Sequence, residues 1–160
     1  MKIAIELIDD AAEHWSPGEA QCQLWAEMAL SVMDHSDQEQ PCEISLRLVD
    51  EPEMTRLNGD YRGKNSPTNV LSFPSHIPAN MLAALEYRHL GDIAICPAVL
   101  EKEAAEQTKT LEAHWAHLLV HGLLHLLGHD HDSDEQAEVM ENLEIQALKK
   151  LGFPNPYLVG

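Results

Sequence analysis

The sequence predicts an α+β fold, a single domain over residues 1–160 in which a small mixed sheet of about four strands is covered by helices. Three observations lead there. Short stretches alternate apolar and polar residues with the period of a half-buried strand, longer ones repeat apolar residues at helical spacing, and no repeat, low-complexity segment or linker divides the chain. The two kinds of stretch also alternate in the first half, and helices dominate the second.

Taken in order, Ile3, Ile5 and Leu7 alternate with Ala4 and Glu6 as a first strand. Ser16-Pro17-Gly18-Glu19 reads as a capping box opening a helix from Pro17 to about Met33, with Leu24, Met28 and Val32 on its buried face. His35 to Gln40 is polar and turn-like. Glu43 to Val49 is a second strand with Ile44, Leu46 and Leu48 inward, and Asp50 caps a helix over Glu51 to about Asn58. Residues 57–69 are rich in turn formers, and Val70-Leu71-Ser72-Phe73 is a short apolar strand stopped by Pro74. Residues 75–88 read as a loop with a helical turn around Leu82. His89 to Cys96 is a further strand, and Pro97 starts a helix to about Gln107. Val70–Phe73 and Ile93–Ile95, apolar throughout, are expected at the centre of the sheet. Thr108 to Leu127 is a long helix with Leu111, Trp115, Leu118, Leu119 and Leu123 facing the core. Ser133 with Gln136 caps a last helix, ended near Gly152 and Pro154.

Composition narrows the function. The 160 residues suffice for a sizeable core, and no apolar run reaches the roughly 18 residues of a membrane span. The first seven residues lack the apolar core and cleavage site of a signal peptide, and three scattered cysteines, Cys22, Cys42 and Cys96, fit a reducing compartment. Cytoplasm is the expectation. A net charge of −17 weighs against a protein that coats nucleic acid, but leaves room for a local basic patch. Trp15, Trp25 and Trp115 are expected in the core rather than as nucleobase platforms, since none falls near the cation-bearing Tyr61-Arg62-Gly63-Lys64 segment in sequence.

The chemistry concentrates in His121-Gly122-Leu123-Leu124-His125-Leu126-Leu127-Gly128-His129-Asp130-His131. Residues four apart on a helix share a face, so His121 and His125 can reach one metal ion. Gly128 can take a left-handed backbone and end the helix, letting the chain return with His131 as a third ligand. Three protein ligands with an open fourth position describe a catalytic zinc site, suited to metal-assisted hydrolysis. The register stays open on spacing alone. His117 is also four residues from His121, whereas Gly128 argues against pairing His125 with His129 on one helix. The residue after His121 is Gly122, not the general-base glutamate of an HExxH peptidase, which speaks against that design. Arg62 and Lys64 sit in a glycine-flanked loop, where arginine can clamp a phosphate and a solvated turn is the plain alternative. Asp92 can accept a bond from a ligand histidine or simply sit at a strand edge, and Asp130 and Asp132 shape the turn beside His131. No general base is evident.

Three segments resemble the YbeY endoribonuclease family of rRNA maturation factors. They are His121-Gly122-x-Leu124-His125-Leu126-x-Gly128-x-Asp130-His131, then Leu57-Asn58 with Tyr61-Arg62-Gly63-Lys64 and Pro67 through Pro74, and Leu90-Gly91-Asp92-Ile93-Ala94-Ile95. They lie in order across residues 57–131, and Asn69 stands where many members carry aspartate. The resemblance implies His121, His125 and His131 as ligands of one Zn²⁺ per chain, His117 and His129 as bystanders, and Arg62 as a required residue. It also implies a single-domain α+β fold and a cytoplasmic bacterial protein that cleaves single-stranded RNA. The implied process is maturation of small-subunit (16S) rRNA and ribosome quality control, with the ribosome or its proteins as partners and no membrane. Two rivals remain: a non-enzymatic assembly factor with a structural metal, and a hydrolase of another substrate such as peptide.

Overall fold

Strand β2 (Cys42–Leu48) shows how the sheet is built: Cys42, Ile44, Leu46 and Leu48 are buried, and Glu43, Ser45 and Arg47 between them are half-buried. The computed structural model describes residues 3–32, 41–75, 77–78, 81 and 87–158. The expected turn at His35–Gln40, the helical turn at Leu82 and the helix end at Met33 lie outside them. The other strands are β1 (Ile3–Asp9), β3 (Val70–Pro74) and β4 (Arg88–Ile95), in the order β1-β2-β4-β3. β1, β2 and β4 run parallel, and β3 is antiparallel to β4. Five helices complete the described part: α1 (Glu19–Ser31), α2 (Glu51–Arg62), α3 (Pro97–Glu106), α4 (Leu111–Leu126) and α5 (Asp134–Lys150). The result is a single small α+β domain with a mixed sheet, as the sequence predicts.

One face of the sheet carries the main core, where Trp25 and Leu30 of α1, Trp115, Leu119 and Leu123 of α4, and Met140 and Leu148 of α5 meet the strands. A smaller cluster lies on the other face, built from Met54 and Leu57 of α2, Leu71, Phe73, Ala94 and the start of α3. Apolar side chains on both faces explain the near-continuous apolar run of β4.

Four expectations change. Val70–Phe73 lies at the sheet edge, not its centre. Pro74 pairs with Gly91 at the end of the ladder and has no N–H to give a further strand, so an edge is where such a strand belongs. Its apolarity answers to cover by α4 on one face and Tyr61 of α2 against Phe73 on the other. In α1 the buried stripe is Cys22, Trp25, Ala26, Ala29 and Leu30, whereas Leu24 is 49% exposed. That stripe also has the i, i+3, i+4, i+7 period, but small residues fill it. The capping box does not form, since Glu19 opens the helix behind Gly18, which has φ 65° and no side-chain cap. Trp25 and Trp115 are buried as expected, but Trp15 is 48% exposed.

The expected caps at Asp50 and Ser133 form, accepting from the backbone N–H of Glu53 and Gln136, whereas α4 starts at Leu111 rather than Thr108, capped by Thr110, which accepts from the N–H of Ala113. α2 continues past Asn58 to Arg62, ended by Gly63 in the left-handed conformation with φ 71°. Asn58 is buried and its Nδ2 donates to the Ser66 carbonyl, so this turn-forming residue serves to tie the following loop to the helix.

Two glycines set the approach of α4 to the sheet. A Cβ on Gly122 would sit 3.3 Å from Ile93 Cγ2, Ser72 Oγ and Val70 Cγ2. Gly91 has φ +143°, and a Cβ there would sit 2.2 Å from the Phe73 carbonyl oxygen. Gly91→Ala should therefore cost about 3 kcal/mol or more, from backbone strain and overpacking together. Gly122→Ala, which asks only small side-chain shifts, should cost about 1–2 kcal/mol. Urea unfolding of the two variants checks that order, and equal midpoints would contradict it.

Candidate metal centre and phosphate cleft

Helix α4 is pinned by its apolar face, which leaves His121 and His125 half-buried at its C-terminal end. Leu127 closes the helix and Gly128, with φ +96°, turns the chain back. His131, whose side chain is 54% exposed, then comes round to face the helix, its backbone N–H held by Asp130 Oδ1 at 2.8 Å. The candidate ligand atoms of His121, His125 and His131 all lie within 4.8 Å of one another. His121 Nε2 and His125 Nε2 are 3.1 Å apart.

A carboxylate fixes the proton on one of these rings. Glu144 of α5 is fully buried, and its Oε1 lies 2.6 Å from His121 Nδ1. Nδ1 is thus the donor, and His121 Nε2 keeps its lone pair for a cation. Burial pushes the Glu144 carboxyl up, but hydrogen bonds from His117 and His121 outweigh it and hold the pKa at about 2. Tyr157 donates its hydroxyl to Glu144 Oε2, and burial and the Glu144 charge keep that hydroxyl protonated. Burial, then the neighbouring His121 and His131, lower the pKa of His125, favouring the neutral ring that a metal needs.

The three rings fit a zinc-like ion. Nitrogens at about 2.0–2.1 Å from a tetrahedral ion lie roughly 3.3 Å apart, close to the His121–His125 spacing. His117, His121 and Glu144 form a second cluster of potential ligands. There the carboxylate–imidazole contact of 2.6 Å is a direct hydrogen bond, which leaves no place for an ion between the two atoms. His117 lies behind His121, with Nε2 3.4 Å from Glu144 Oε1 and 3.3 Å from the Tyr157 hydroxyl.

The three histidines line a cavity of about 580 Å³ together with Tyr61, Arg62, Asn69, His129 and Asp132. Arg62 is exposed on the last turn of α2 rather than in a loop. Arg47, Arg56 and Lys102 each pair with a carboxylate, whereas the Arg62 side chain pairs with none among the described residues. Lys64 is exposed beyond Gly63 and outside the cavity lining. Asp92 does not reach a ligand histidine. Its neighbour Ile93 faces α4, so strand alternation turns Asp92 to the other side, where it lies 3.8 Å from His89 Nε2. Asp92 takes the plainer of its two alternatives, and Glu144 is the carboxylate that accepts from His121. Its sequence signal is a carboxylate on the stripe Met140, Glu144, Ala147, Leu148, where a core side chain belongs. Asn69 Nδ2 donates to both oxygens of Glu103, a bond that an ionised aspartate could not make.

Removing Glu144 strands the polar groups that face it. In metal-free protein, Glu144→Leu should lower the unfolding free energy by about 3 kcal/mol or more, and Glu144→Gln by clearly less, since an amide still accepts from one partner. Urea titrations in chelator measure both, and a Leu variant as stable as wild type would contradict the network.

The comparisons with known proteins can be set beside this geometry. The family described as Endoribonuclease YbeY matches residues 8–152. The solution structure of TM1509 from Thermotoga maritima is 26% identical, with 94% of this chain and 91% of that chain covered and a TM-score of 0.58. With the match spanning both the three histidines and Arg62, this chain belongs to the YbeY endoribonuclease family.

Proposed function

We propose that the protein is a zinc-dependent, single-strand-specific endoribonuclease that matures small-subunit (16S) rRNA and serves ribosome quality control in the cytoplasm, working with the ribosome. Family membership supplies the coarser part of that reading, an endoribonuclease role in rRNA maturation. The observation that carries the finer part is the shared wall of one cavity, where three converging imidazoles stand with an arginine that has no carboxylate partner among the described residues.

His121, His125 and His131 would hold the ion, and no fourth side chain belongs to their cluster among the described residues. The chemistry such an ion supplies is activation of water near pH 7 and polarisation of a phosphoryl oxygen. Glu144 keeps the His121 proton on Nδ1, away from the cavity. Arg62 binds the scissile phosphate and stabilises the charge that develops on it. A peptidase of the HExxH design is disfavoured by packing as well as by sequence, since position 122 lies against Ile93, Ser72 and Val70 with no room for a glutamate.

Cleavage of single-stranded RNA by wild type, His121→Ala and Arg62→Glu, each freed of contaminating nucleases, tests the assignment. His121→Ala should be inactive, and Arg62→Glu should lose about a hundredfold or more in kcat/KM. Equal rates in all three would end the enzyme reading. Chelation separates catalysis from structure. The core is apolar and complete without an ion, so chelated protein should keep its fold and lose cleavage, whereas unfolding on chelation would favour a structural metal.

A further inference from the structure

We propose that Tyr61 is a stacking platform for one unpaired nucleobase next to the scissile phosphate, an inference that rests on the RNA-cleaving reading of the site. Tyr61 precedes Arg62 on the last turn of α2 and lines the cavity that holds His121, His125 and His131. It is 52% exposed, and among the described lining residues it is the one aromatic side chain besides the histidines. Its hydroxyl has no hydrogen bond among the described residues, so no polar contact accounts for its position.

The ring is nonetheless held in place. Its centroid lies 4.6 Å from that of Phe73 at an interplanar angle of 60°, and Phe73 packs on the apolar cluster beneath α2. A half-exposed ring supported from beneath and open to a cavity is how a base-stacking residue is presented. The cavity, at about 580 Å³, falls within the roughly 300–1,000 Å³ of pockets that enclose a small organic ligand, so it has room for more than a phosphate.

Charge gives the reason for such a platform. The chain carries 27 acidic and 10 basic residues, so few cations can hold a polyanion by counterion release. Stacking needs no positive charge and tolerates any base. It does need a base with a free face, which a residue inside a duplex does not offer. Tyr61 thereby ties affinity at this site to the unpaired state of the nucleotide.

Binding of a short fluorescein-labelled single-stranded RNA, followed by anisotropy in a His121→Ala background so that the RNA stays intact, tests the platform. Tyr61→Ala should weaken Kd about 5- to 150-fold, and Tyr61→Phe should bind like the parent. The salt dependence should not change with Tyr61→Ala, whereas Arg62→Ala should flatten the slope of log Kd against log salt by about 0.7. An abasic site at one RNA position should weaken binding to the parent as much as Tyr61→Ala does, and the two changes together should cost no more than either alone. Tyr61→Leu separates platform from lid, since leucine still covers Phe73 but stacks poorly. Parent-like binding by Tyr61→Leu or Tyr61→Ala, or additive losses with every abasic RNA, would overturn the platform. Cleavage by the otherwise native enzyme keeps the two readings apart. If wild type cleaves and Tyr61→Ala does so with unchanged KM, the platform alone fails. If wild type neither binds nor cleaves RNA, the endoribonuclease reading fails with it.

Discussion

The rotation of α4 about its own axis is the constraint on which the site depends. Trp115, Leu118, Leu119 and Leu123 are at most 4% exposed, and burying such side chains is worth about 1.5–3 kcal/mol each. Rolling the helix by one residue would lift that face out of the core. Gly122 presses the same helix onto Ile93 and Ser72, whose hydroxyl donates to the Gly122 carbonyl. With roll and height both fixed, His121 and His125 emerge only at the edge of the sheet beside β3. The core therefore places the two rings, and left-handed Gly128 turns the chain so that His131 comes to face them.

Electrostatics divides the site into a back and a front. Behind it, buried Glu144 collects hydrogen bonds from His121, His117 and Tyr157, fixing a tautomer that the bare sequence leaves free. In front, Arg62 lines the cavity and pairs with no carboxylate among the described residues, in a chain whose acidic residues outnumber its basic ones by 27 to 10. The buried carboxylate holds the His121 ring from behind, while Asp130 and Asp132 line the cavity in front without pairing with Arg62 among the described residues. An acidic excess of this size disfavours general adhesion to a polyanion.

Elements whose signal is local were legible in the sequence. Alternation in β2, the cap residues at Asp50 and Ser133, and the apolar face of α4 depend on neighbours within a few positions, and they form as read. Signals that depend on contacts distant in sequence were not. The α1 stripe is hard to read locally because Cys22, Ala26 and Ala29 are small, and small residues suit a face packed against the large side chains of the main core. α2 was ended too soon because Asn58 looks like a turn residue until its bond to Ser66 is seen. Glu144 carries no local signal of its role, because the docking of α5 behind His121 is a tertiary fact.

Diffraction at the absorption edge of the bound metal, from crystals grown without chelator, tests the central claim most directly. The account predicts one anomalous peak per chain at the meeting point of His121 Nε2, His125 Nε2 and the His131 ring, with its remaining face turned to the cavity that Arg62 lines. A peak between His117 and Glu144, or an ion sealed off by a fourth side chain, would contradict it.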